Sequence, residues 1–199
     1  MISRRKILAS SALASSALLV RPAFASAGKP SSGLFARGLA ALDRHRSEIA
    51  QQDLIALADF SQPSSAKRFH LVNLQTGAVS SYLVAHGLGS DPQHTGWLQS
   101  FSNTPSSKAS SAGAYRADNI YVGKHGRSIR LSGLDATNDN ALARAIVVHP
   151  ADYVSDEIIA RCGVLGRSDG CFTVSQANIG EVLDKLGEGR MIYADNLGA

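Results

Sequence analysis

Phe35, Leu39, Leu42 and Ile49 recur at helical spacing and predict an amphipathic helix over residues 34–50, lying on the outside of the core. From Leu54 the period shortens. Short extended runs at 54–57, 69–74 and 78–85 read as strands, and the Gln75-Thr76-Gly77 turn makes the last two a β-hairpin. Further strands are expected at 119–122, 128–131, 145–148 and 191–194, each bounded by Gly, Asn or Asp. A second helix follows near the end, with Ser175 as N-cap, Ile179, Val182, Leu183 and Leu186 on one face, and Gly187 as the stop. Residues 100–113 hold six serines in 14 positions without any period, so they read as a loop: a solvated connection or a substrate-binding rim.

The pattern therefore predicts a mainly β domain with flanking helices. The 199 residues suffice for one such domain and are thin for two. With 44% apolar and 18% charged residues, composition excludes a disordered or collagen-like chain. The longest apolar stretch, residues 7–20, is 14 long and broken by serines, short of the ~18 to 20 that a membrane span needs. Its flanks give it another meaning. Arg4, Arg5 and Lys6 precede it and Arg21-Pro22-Ala23-Phe24-Ala25-Ser26-Ala27 ends in small residues, the form of a cleavable export signal over residues 1–27. Ser3-Arg4-Arg5-Lys6 suits either a twin-arginine or a general secretory route, and the expected compartment is the periplasm.

That reading changes the charge balance. Four of the 20 Lys and Arg fall in residues 1–27 and none of the 16 Asp and Glu do, which leaves a neutral mature protein. The basic excess is a targeting device, and nucleic acid is not an expected partner.

Candidate chemistry centres on Cys162, Cys171 and six scattered histidines. None has zinc-site spacing, and His86, Asp91 and His94 lie in a stretch turned by Gly87, Gly89 and Pro92, so no metal or cofactor is expected. In an oxidising compartment a Cys162 to Cys171 disulfide is one reading. The other is a nucleophile: Gly170 directly before Cys171 lets a substrate carbonyl approach and lets the N–H groups of 170 and 171 converge on an oxyanion. A thiol needs a base, and His149, closing the apolar run 145–148, is the candidate.

Ile146-Val147-Val148-His149 followed by Leu165-Gly166-Arg167-Ser168-Asp169-Gly170-Cys171 resembles the signature of the YkuD-type L,D-transpeptidases. Val84-Ala85-His86-Gly87, Phe101-Ser102-Asn103, residues 110–115, Tyr121 to Leu131 and Ala151-Asp152-Tyr153-Val154 extend the likeness to the YkuD_2 branch, over roughly residues 53–195. The resemblance implies one β-sandwich or barrel catalytic domain over residues 53–199, after the signal and a leader with its helix over 28–52. It implies an enzyme acting on peptidoglycan stem peptides: a thiolate cleaves an amide between an L-centre and a D-residue, and an amine of diaminopimelate on a second stem resolves the thioester, giving 3-3 or 1-3 cross-links. Carried over, Cys171 is the nucleophile, His149 the base, Gly170 and Cys171 the oxyanion donors, Ser168 the motif hydroxyl, and Tyr115 borders the donor groove. Arg167, Asp169 and Tyr153 would contact substrate, with His125, Arg127 and Arg130 of a basic cluster that includes Lys124.

Three departures stand out. Asp169 replaces the usual His, and a carboxylate there raises the thiol pKa unless Arg167 or solvent screens it. Pro150 follows His149 in place of Gly but keeps a carbonyl for the imidazole. The His149 to Ser168 spacing is longer than in the commoner branch, so the intervening loop, with Cys162, would shape the acceptor side. Two alternatives remain open: an L,D-carboxypeptidase or amidase that uses water as acceptor, and a non-catalytic wall-binding protein with a Cys162 to Cys171 bridge. Oligomeric state is not legible.

Overall fold

The computed structural model describes residues 28–197. Helix α1 (Ser32–Arg44) starts at Ser31, whose Oγ accepts from the Leu34 N–H at 3.3 Å, and ends six residues short of the expected 50. It leads to β1 (Leu54–Asp59), buried at all six positions. The hairpin of β2 (Phe69–Asn73) and β3 (Val79–Tyr82) follows, turned where Asn73 Oδ1 accepts from the Gln75 and Thr76 N–H groups and Gly77 takes φ +72°. The two short strands expected at 119–122 and 128–131 are parts of a longer hairpin, β4 (Gly113–Gly123) and β5 (Gly126–Gly133), with a register shift between Ala117 and Ile120. The serine-rich stretch before it is irregular, as its composition predicts.

Next come β6 (Val147–Ala151), α2 (Asp156–Cys162), β7 (Phe172–Ser175), α3 (Ile179–Leu186) and β8 (Met191–Asp195). Two of these differ from expectation. Ser175 closes strand β7 instead of capping α3; its Oγ accepts from the Asn178 N–H at 3.2 Å, and Asn178 is the cap position. Helix α2 was not foreseen, though Ser155 caps it through the Ile158 N–H at 3.2 Å and Gly163 stops it with φ +77°.

Among the described residues eight strands form one sheet in the order β3-β2-β1-β8-β4-β5-β6-β7. Past β3, Ala85 bridges to Thr173 of β7, so the two ends of that order meet and the sheet is nearly a barrel. Its interior packs Phe60, Phe69, Tyr115, Leu131, Phe172 and Leu183. The outer face of β1 packs Ile55 and Leu57 against Leu34, Ala41 and Leu42 of α1, each fully buried large side chain being worth about 1.5–3 kcal/mol. Close approach there needs Gly38, where a Cβ would lie 2.6 Å from Leu57 Cδ2.

One buried polar network ties this core to the segment after β3. Arg68, fully buried, stands over the Phe60 ring and donates to the carbonyls of Gln62 and Val84 and to His86 Nδ1 at 2.8 Å. Because His86 Nδ1 accepts, its Nε2–H faces Asp91 Oδ2 at 3.4 Å, and that carboxylate also accepts from the Thr95 and Gly96 N–H groups. Burial, with Arg68 beside it, pushes His86 down to about 4, and burial pushes Arg68 down to about 9.

Candidate active site

The segment 166–171 is fastened at several points. The Gly166 N–H donates to the Tyr153 carbonyl, and a Cβ on Gly166 would lie 2.6 Å from Tyr153 Cβ. Ser168 exchanges backbone bonds with the His86 carbonyl and the Leu88 N–H at 3.0 and 2.7 Å. Its Oγ donates to the Cys171 carbonyl at 2.8 Å and accepts from the Gly170 N–H at 3.1 Å. Ser168 is thus a staple within the turn, and the Gly170 N–H, expected to bind an oxyanion, is already engaged. Gly170 takes φ +113°, and a Cβ there would lie 2.6 Å from the Ala109 carbonyl oxygen.

This turn delivers Cys171, half-buried, to a cavity of about 540 Å³. Its thiol donates to the carbonyl of Ala145 at 3.7 Å; Ala145 takes the left-handed φ of +55°, an uncommon conformation for a residue with a Cβ. Burial raises the Cys171 pKa above its ordinary 9.0 and Asp169 adds to the rise, while the Val147 N–H, Arg144 and Lys124 oppose it. On balance burial favours the protonated thiol.

His149 comes from β6, 4% exposed, and lines the same cavity. The Pro150 carbonyl lies 2.9 Å from Nδ1 and can only accept, which places the ring proton on Nδ1 and the lone pair on Nε2. Nε2 faces Thr173 Oγ1 at 3.4 Å, and the Tyr153 hydroxyl donates to that same Oγ1 at 3.4 Å. The His125 ring stacks on His149 with centroids 4.3 Å apart. Burial holds the His149 pKa below its ordinary value; the Pro150 bond opposes this, and His125 and Lys124 reinforce it. Among the described residues no hydrogen bond joins the thiol to this imidazole.

The other candidates divide. Tyr153, His125, Arg167 and Asp169 line the cavity with Lys124. Arg167 donates to the carbonyls of Asp91 and Pro92. Asp169 pairs with Lys108 at 3.4 Å, so the cation beside it is not Arg167, and with its side chain 72% exposed solvent screens it as well. Tyr115 is a correction: it is fully buried against Phe172, its hydroxyl bonded to Ser111, with no surface to offer a substrate. Arg127 and Arg130 are also placed outside the cavity lining, the first paired with Asp184 of α3 at 2.7 Å and the second over the Tyr121 ring. Cys162 sits exposed at the end of α2 and does not line the cavity.

Sequence reasoning missed Arg144 and Thr173. Arg144 lines the cavity and clamps the serine-rich loop through the Ser102 and Ala109 carbonyls. Its charge gave no signal, since it lies in an irregular stretch before β6. Thr173, two residues after Cys171, had a signal in that spacing alone. Among the described residues no three His, Cys, Asp or Glu side chains are grouped to hold a metal ion, and no helix is long and apolar enough to cross a membrane.

A nearly closed β sheet with a cationic cleft holding a cysteine and a histidine marks an enzyme domain. Residues 27–194 match the YkuD_2 family, described as the L,D-transpeptidase catalytic domain, and the chain belongs to that family. Among solved structures it is similar to an L,D-transpeptidase from Mycobacterium smegmatis at 14% identity and TM-score 0.44, covering 72% of this chain and 58% of that one. It is also similar to L,D-transpeptidase 3 from Mycobacterium tuberculosis at 12% identity and TM-score 0.46, covering 72% and 61%. The chain spans about three-fifths of the length of those proteins. No curated protein sequence matches it.

Proposed function

We propose that the protein is a cysteine-dependent peptidoglycan L,D-transpeptidase. The observation that carries this reading is that His149 and Cys171 line one cavity, with the Pro150 carbonyl holding the His149 Nδ1–H and so leaving Nε2 as the basic nitrogen. His149 Nε2 takes the thiol proton as sulfur attacks the carbonyl of an amide between an L-centre and a D-residue. The C–N bond then breaks, the proton passes to the leaving amine, and a thioester to Cys171 remains. A diaminopimelate amine of a second stem attacks that thioester, yields its proton to His149, and the thiol returns, leaving a 3-3 or 1-3 cross-link. With the Gly170 N–H bonded to Ser168 Oγ, the Cys171 N–H is the backbone donor assigned to the oxyanion.

The carboxylates of stem peptides suit a cavity lined by Lys124, Arg144 and Arg167. His125, beside the base, and Tyr153 are the wall the substrate would meet. Action in the periplasm belongs to the same proposal and is supported by the export-signal pattern of residues 1–27, which lie outside the described residues. Incubation of the purified protein with defined tetrapeptide and pentapeptide stems, followed by mass spectrometry, tests it. Cross-linked dimers and a Cys171 acyl-enzyme are expected, and neither with Cys171→Ala. Dimers formed by Cys171→Ala would overturn the mechanism, and hydrolysed stems alone would overturn transfer.

A further inference from the structure

A second cavity, of about 900 Å³, shares no lining residue with the first. Two of the side chains lining it are almost wholly buried, Asp59 at 2% exposure and His70 at 3%. Each is only half used. Asp59 Oδ1 accepts from the N–H and Oγ of Ser61, while among the described residues no hydrogen bond reaches Oδ2. Ser81 Oγ donates to the Gly28 carbonyl at 3.0 Å, so at 2.8 Å from His70 it accepts from Nδ1–H. The lone pair of the neutral ring then sits on Nε2, which also has no partner among the described residues. No sealed side-chain nitrogen or oxygen is left unpartnered among these residues, so Oδ2 and Nε2 open onto the cavity.

Two acceptors carrying one negative charge call for a donor-rich cation. The buried Arg68 guanidinium offsets part of the Asp59 charge but donates to the Gln62 and Val84 carbonyls and His86, so among the described residues Oδ2 and Nε2 remain acceptors without a donor. The remaining charged residues of the lining, Lys29 and Lys67, are exposed lysines, and Ser31, the N-cap of α1, lies with them. They favour an anion. An ammonium and a carboxylate on one carbon meet both demands, and the volume leaves room for more of a peptide.

We propose that this cavity binds an α-amino-acid group, its ammonium on Asp59 and His70 and its carboxylate toward Lys29 and Lys67. The group is present in a free amino acid and at the side-chain end of diaminopimelate in a stem peptide. The inference does not rest on the chemistry assigned to Cys171.

The imidazole signals of His70 and His149 in the full-length chain, followed by NMR, give the test. Meso-diaminopimelate, D-alanine and a tripeptide ending in diaminopimelate are the probes. A saturable shift of His70 is expected whether or not His149 also shifts, and it should persist in Cys171→Ala, from D-alanine if the source is a free amino acid and from the tripeptide if it is a stem. N-acetyl-D-alanine and D-alaninamide should each bind at least tenfold more weakly, Lys67→Ala should weaken binding several-fold, and Asp59→Asn should abolish it. Should Asp59→Asn fail to fold, the exposed Lys67→Ala and the two blocked analogues still decide. Absence of a saturable His70 shift, or equal binding of the acetylated analogue, would overturn the proposal.

Discussion

The Cys171 thiol donates to Ala145 and has no bond to His149, which makes its reactivity toward a small alkylating agent a direct test of how the nucleophile is prepared. Burial raises its pKa above the ordinary value, which disfavours the thiolate near neutral pH. Alkylation by iodoacetamide should therefore climb about tenfold per pH unit between roughly pH 6 and 8. Asp169→Asn should lower the thiol pKa, because the carboxylate disfavours the thiolate. With its side chain 72% exposed and paired with Lys108, the gain should stay below about one pKa unit, or tenfold in rate at fixed pH. Stopped-flow alkylation with mass-spectrometric assignment to Cys171 reads both. A rate already flat from about pH 5 to 8 would reveal a standing thiolate–imidazolium pair and refute the view that His149 takes the proton only during attack.

His149→Ala should slow acyl-enzyme formation by about 10²- to 10⁴-fold, with the loss shrinking at high pH where thiolate forms unaided; equal loss at every pH would assign His149 a structural part. Thr173→Val should leave the fold intact yet alter the rate and the pKa of His149, which NMR titration reads against unchanged urea stability; no change in either would deny Thr173 a part in placing the ring. For His86 the folded pKa of about 4 against an ordinary 6.5 is worth ~3 kcal/mol. A depressed pKa means the stability is present above about pH 6.5 and lost as pH falls toward 4, so urea unfolding should show that slope, and His86→Gln should flatten it. Gly170→Ala should cost at least about 1–3 kcal/mol of local strain and most of the activity, since its Cβ would strike the Ala109 carbonyl; a fully active variant would refute this.

Much of the fold was legible where apolar spacing was long or punctuated: of the four positions read as one helical face, Leu42 and Ile49 do pack with β1, Phe35 lies at the edge of that cluster and Leu39 is exposed, and the turn at 75–77 does make the first hairpin. The gaps have physical causes. Phe172-Thr173-Val174-Ser175 pairs with a parallel partner distant in sequence, and four residues are too few to show a period, so Ser175 passed for a helix cap. Helix α2, seven residues with none buried and only Ile159 packed inward, is too short to show a helical period. In the candidate site, the order of Ser168, Gly170 and Cys171 could be read, but burial cannot be, and Tyr115 looks the same in a motif whether it meets substrate or core. Arg144 illustrates the converse, a charge that only tertiary packing brings to the cavity.

Strand β8, the last of the described strands, occupies the middle of the sheet, parallel to β1 through pairs such as Ile55 with Met191 and antiparallel to β4 through Tyr115 with Ile192. Assembly order follows from that placement. The hairpins β1-β2-β3 and β4-β5 can form while the chain is still emerging, yet β1 and β4 keep unsatisfied edges until residues 191–195 arrive to join them. The domain is completed only after synthesis of its final strand, and a chain truncated before Met191 would expose two adhesive edges to its neighbours rather than fold into a smaller enzyme.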